Sequence, residues 1–200
     1  YRPNGNELAE NFGYSVTDYQ QVAITDGMTD EQKAHYEKLN DLVSALNVLG
    51  EAADNKFNGA TNNIEPIDVT ADDVPEAKRL NVKSGELTGF NMSLILNDAT
   101  AIRIYLPDSI TEEVTIDNKS TDIKSRQDGK RYVELANIAS NDLSDMHTFN
   151  ADGVEFQFST LSYVYMILKN ESSANSALGD CCRALLNYSQ MAEAYFGKES

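Results

Sequence analysis

Two histidines, His35 and His147, stand far apart in the chain, and no His-Glu-x-x-His or similar metal-binding motif contains either. A zinc or catalytic site needs such grouped donors. Glu112-Glu113, Asp72-Asp73 and the Asp142/Asp145 pair are the carboxylate pairs that glycosidic acid–base chemistry would use. In a chain with 32 acidic residues such pairs arise by chance, and neighbouring acids on a strand point to opposite faces. They read as solvated surface. Asn150-Ala-Asp152-Gly153 is a turn and lacks the later Glu of a calcium loop. Cys181 and Cys182 are adjacent, a poor geometry for a disulfide, and read as two small apolar core residues. No nucleophile elbow, phosphate loop or dinucleotide loop occurs. The expectation is a chain that is not an enzyme, with no cofactor and no metal.

Binding chemistry remains. The chain has no Trp and ten Tyr. Most tyrosines fall on apolar stripes, whereas Tyr105 and Tyr132 are placed to form a surface platform for glycans. A second candidate is the polar side of a long helix, carrying Lys33, Glu37, Lys38, Asp41, Ser44 and Asn47, which would dock a protein partner. Sixteen Lys and Arg against 32 Asp and Glu give a net charge of −16. Such a chain repels phosphate backbones and anionic membrane surfaces, which argues against nucleic acid as a partner. No apolar run approaches the ~18 residues of a membrane span, so no membrane insertion is expected.

The elements that must position these residues are legible from periodicity. Thr29-Asp-Glu-Gln32 is a capping box. Apolar residues then recur at Tyr36, Leu39, Leu42, Val43, Leu46, Leu49, Ala53 and Phe57. This predicts a helix over 30–57 with one buried stripe, about 42 Å long, with Gly50 marking a bend. Residues 60–77 read as a linker with one helical turn after Thr70. From 78 to 158 the pattern alternates, with turn signals at Asp117-Asn118, Asp128-Gly129 and Asp152-Gly153. Six or seven short strands predict an antiparallel β-sandwich. Helical spacing returns at Leu161–Leu168 and again from Leu178 to Phe196, ending near Gly197.

The two helical ends resemble each other. Phe12, Ser15 and Tyr19 align with Phe156, Ser159 and Tyr163; Ala45, Leu46, Ala53 and Phe57 align with Ala184, Leu185, Ala192 and Phe196. Residues 1–59 therefore read as a helical hairpin ending a preceding repeat unit, 78–158 as the sandwich, and 159–200 as the hairpin of a second unit. The chain opens on Tyr1 without a charged segment leading into an apolar stretch, and reads as an excised fragment or mature piece.

Phe158-Ser-Thr-Leu-Ser-Tyr163-Val-Tyr, followed by Cys182-Arg-Ala-Leu-Leu-Asn-Tyr188-Ser-Gln-Met-Ala-Glu-Ala-Tyr195-Phe196, resembles a repeat module of large secreted or wall-attached proteins of gut and rumen clostridia. The helix around Leu42–Phe57 is similar to the same pattern, with Leu49 and Lys56 where the module carries Tyr. The matching positions are structural, so no functional residue carries over. The resemblance implies an extracellular or wall-attached multi-modular protein. The fold expectation is α+β, an Ig-like antiparallel β-sandwich flanked by N- and C-terminal helical hairpins. The functional expectation is protein-directed binding or adhesion, with a host immunoglobulin or mucus glycoprotein as partner. Polysaccharide capture and a spacer role are the alternatives.

Overall fold

The computed structural model describes residues 24–96 and 100–197, and the chain is an α+β protein. Helix α1 spans Asp30–Phe57. Its capping box forms as expected: Thr29 Oγ1 accepts from the Gln32 amide at 3.2 Å, and Gln32 Oε1 accepts from the Thr29 amide at 2.9 Å. Asp30 and Glu31 sit in the first turn, where they favour the helix dipole. The helix runs unbroken through Gly50 and ends at Asn58. The first half of the expected N-terminal hairpin, with Phe12, Ser15 and Tyr19, lies outside the described residues.

The buried face of α1 is not the expected stripe. Ala45, Leu49 and Ala52 are buried, while Leu46 and Phe57 keep 38% and 48% of their surface exposed. The face has rotated toward two alanines because α1 lies along the C-terminal helix, and small residues let the two helices approach closely.

Residues 60–77 form a packed strap. Asn62 clips it back onto α1 through paired bonds with Asn55, at 2.7 and 2.9 Å. Single 3₁₀ turns follow at Ala71–Asp73 and Glu76–Lys78, the first capped by Thr70 as expected. Val74 is fully buried, and Ile64, Ile67 and Val69 lie against the core.

Nine strands follow among the described residues: β1 Asn81–Ser84, β2 Asn91–Leu96, β3 Thr100–Tyr105, β4 Val114–Ile116, β5 Lys119–Thr121, β6 Lys124–Ser125, β7 Arg131–Ile138, β8 His147–Ala151 and β9 Val154–Phe158. They make two antiparallel sheets, ordered β1-β9-β8-β4-β5 and β2-β3-β7-β6. Both Asp-Gly hairpin signals hold: Asp152-Gly153 has positive φ at both turn residues, the backbone that two-residue hairpin loops require, and Asp128-Gly129 lies in the longer loop between β6 and β7 with positive φ at Gly129. The Asp117-Asn118 boundary is also a two-residue turn with positive φ at both positions. Strands β1 and β5 escaped the pattern reading because they lie at a sheet edge with little apolar alternation.

Ser159 caps helix α2, Thr160–Lys169. A single turn α3, Glu171–Ala174, interrupts the expected polar break, and α4 runs Ala177–Phe196 to a left-handed Gly197. One buried cluster joins both sheets, the strap, α1, α2 and α4. Its centre includes Phe149, Phe156 and Phe158 from one sheet and Ile102, Ile104 and Val133 from the other.

Candidate functional site

Strand register brings the two candidate tyrosines together. Tyr105 on β3 pairs with Tyr132 on β7, and Arg103 pairs with Glu134 one step along. Ile102, Ile104 and Val133 take the intervening positions and face the core, so alternation turns Arg103, Tyr105, Tyr132 and Glu134 outward. Lys124 on β6 pairs with Tyr132 and extends the row. Asn91 and Ser93 of β2 complete it on the other side, opposite Tyr105 and Arg103.

The rings of Tyr105 and Tyr132 lie 5.9 Å apart with 51° between their planes, a bent platform. The Arg103 guanidinium sits 4.7 Å from the centre of the Tyr132 ring. Arg103 also donates to Glu134, and Lys124 Nζ reaches the other Glu134 oxygen at 3.1 Å. Arg126, on the loop after β6, donates from Nη1 to the Tyr105 hydroxyl at 3.1 Å. Arg126 thus holds Tyr105 at its hydroxyl while Arg103 covers one face of Tyr132, and the orientation of both rings is fixed before any ligand arrives.

The electrostatics follow from these contacts. Burial alone would push the Tyr105 phenol up, but the Arg126 hydrogen bond and the polar neighbours around the hydroxyl outweigh it and hold the group below its ordinary value. The Arg103 hydrogen bond, reinforced by Lys124, keeps the Glu134 carboxyl below its usual range against the effect of partial burial. Glu134 is a charged brace between two cations. The arrangement can stack flat groups and donate hydrogen bonds.

The six helical candidates form no comparable cluster. Glu37, Lys38, Asp41 and Ser44 are exposed on α1, whereas Lys33 and Asn47 are half-buried. Among the described residues the rings beside this group are His35 and Tyr36 of α1 itself, 5.6 Å apart, and His35 lies 5.4 Å from Tyr195 of α4.

The other chemistry-bearing residues take structural positions. Asp117 accepts from the Thr148 amide at 2.8 Å and lies 2.7 Å from His147 Nδ1. Burial raises the Cys181 and Cys182 thiols to about 11 and about 12, and both side chains are fully enclosed. Tyr163 is likewise pushed up to about 12 by burial. Among the described residues no three His, Cys, Asp or Glu side chains gather where they would hold a metal ion. No described helix is long and apolar enough to cross a membrane.

No family model, curated protein or solved structure matches this chain. The cations around the platform were missed by sequence reasoning. Their signal was present: Lys119, Lys124, Arg126, Lys130 and Arg131 place five of the chain's 16 cationic residues within one short stretch.

Proposed function

We propose that this chain is a non-catalytic binding module that captures polysaccharide on the outer face of the four-stranded sheet. The carrying observation is the cross-strand Tyr105–Tyr132 pair, braced by Arg126 and Arg103. Aromatic faces supply large contact area at low entropic cost, and sugar rings stack on them through their C–H faces. The braces supply hydrogen-bond donors at the rim of the same surface.

In this reading the two sheets are an Ig-like sandwich and the flanking helices are hairpins of a repeat unit in a secreted or wall-attached bacterial protein. The shared core of both sheets supports the sandwich. The alignment of α1 with α4 supports the repeat and extends to Leu39/Leu178 and Asp41/Asp180. Repetition would raise weak capture at each unit to useful avidity.

Adhesion to a host secreted protein through α1 is the second reading. Its support is the exposed run of Glu37, Lys38, Asp41 and Ser44. One experiment separates the two. Binding of the 200-residue chain is measured by affinity electrophoresis against a panel of soluble polysaccharides, and by pull-down from mucus extract. Tyr105→Ala with Tyr132→Ala abolishes retention by the polysaccharide while leaving thermal unfolding cooperative. Unchanged retention by the double variant overturns the platform. Capture of a host protein that sugars fail to displace, lost on charge reversal at Lys38 and Asp41, would establish the helical reading instead.

A further inference from the structure

Building on the platform reading, we infer that its ligand is a carboxylated saccharide, a chain of uronic acid units, and not a neutral glycan. The chain as a whole carries a charge of −16 and would repel a polyanion at long range. The outer face of the four-stranded sheet is the local exception. On that face and its β6–β7 loop, four cations, Arg103, Lys124, Arg126 and Lys130, stand against two carboxylates, Glu134 and Asp128. Contact energies are set locally, because charges beyond about 8 Å are largely screened at physiological ionic strength.

The geometry selects carboxylate. Glu134 is fully engaged by Arg103 and Lys124, so it presents no free negative charge to a ligand lying over Tyr132. Arg126 spends Nη1 on the Tyr105 hydroxyl, and its Nε lies 3.6 Å from Asp128. Its Nη2 donors are left for a ligand on a side chain that is 49% exposed and tethered to the Tyr105 hydroxyl. A planar guanidinium edge next to an aromatic face matches a sugar carboxylate, since ring stacking and charge-assisted hydrogen bonding occur together. Lys130, 68% exposed on the same hairpin loop and 3.8 Å from Asp128 in a loose surface pair, adds a second cation within the reach of a neighbouring sugar unit. The 51° bend between the tyrosine rings fits successive units of a twisted chain better than a flat ribbon.

The test uses the whole 200-residue chain and four soluble polymers: polygalacturonate, its fully methyl-esterified form, a neutral β-glucan and a sulfated galactan. Polygalacturonate is bound, and methyl esterification, which removes charge but keeps the sugar backbone, weakens binding by about tenfold or more, the cost of losing a charge-assisted hydrogen bond. Arg126→Gln produces a loss of similar size, and added salt weakens the wild type more than the variant. Equal binding of the ester or the glucan, lost in the Tyr105→Ala and Tyr132→Ala variants, would overturn the acidic ligand while leaving the platform intact. Preference for the sulfated galactan would overturn carboxylate recognition. Binding to none of the four would overturn this inference; the platform itself falls if the wider polysaccharide panel is also negative.

Discussion

The joint between the strap and α2 carries a buried polar network whose energetics can be worked out atom by atom. Ser159 and Ser162 are both fully buried. The Ser159 hydroxyl accepts from the Ser162 amide at 3.1 Å, and the Ser162 hydroxyl accepts from the Ser159 amide at 2.9 Å. Both hydroxyls also donate to one acceptor, the Lys78 carbonyl, at 2.8 and 2.7 Å. Ser162→Ala orphans the Ser159 amide, whereas Ser159→Ala leaves the Ser162 amide its bond to the Ser159 carbonyl at 3.1 Å; each leaves Lys78 one donor. Losing the helix cap in Ser159→Ala costs about 1 kcal/mol, and the unsatisfied buried amide brings Ser162→Ala to about 2 kcal/mol. The double variant also orphans the Lys78 carbonyl. That adds about 1–2 kcal/mol beyond the sum of the singles. Urea unfolding followed by circular dichroism, read as a double-mutant cycle, measures this coupling directly. The slopes should stay unchanged, so midpoint shifts report stability. A coupling of zero, or a double variant less destabilised than the sum, would refute the shared acceptor as a fastening point.

Three further substitutions test the fold and the platform brace. Gly50→Ala in α1 meets open space and stabilises by about 1 kcal/mol through helix propensity, whereas Gly179→Ala drives a Cβ into the Ala174 and Ser173 carbonyls and costs about 3 kcal/mol or more; melting temperatures moving in the same direction would count against the helix packing. Glu134→Gln weakens the chain by about 1 kcal/mol at neutral pH. Because Arg103 and Lys124 hold the folded carboxyl below its ordinary 4.5, that stabilisation is complete above 4.5 and fades as pH falls through the folded value. The gap between wild type and Glu134→Gln should therefore narrow on acidification, and a gap independent of pH in urea titrations would contradict the brace.

What the sequence disclosed and what it withheld divide along a physical line. Local chemistry was legible. The Thr29/Gln32 box, the Asp-Gly and Asp-Asn turns and the Gly197 stop are set by neighbours within a few residues, and each formed where expected. Tyr105 and Tyr132 could be singled out one at a time, but their pairing depends on β3–β7 register, which no local signal specifies. Arg126 was harder still. It reaches Tyr105 from a loop, across two strand positions that only the folded sheet brings together.

The helices show a different limit. Periodicity located α1 but could not choose among its apolar sides. In α4 the positions Cys181, Cys182, Leu185, Leu186, Ser189 and Ala192 are buried. Their aligned counterparts in α1 are Leu42, Val43, Leu46, Asn47, Gly50 and Ala53, and all are half-buried or exposed. The same pattern thus serves two environments: α4 buries it in the shared core beside α2, whereas α1 turns Ala45, Leu49 and Ala52 inward. A sequence pattern records which residues tolerate burial. Which of them are buried depends on what lies alongside, and for α1 that neighbour is its own sequence relative, α4.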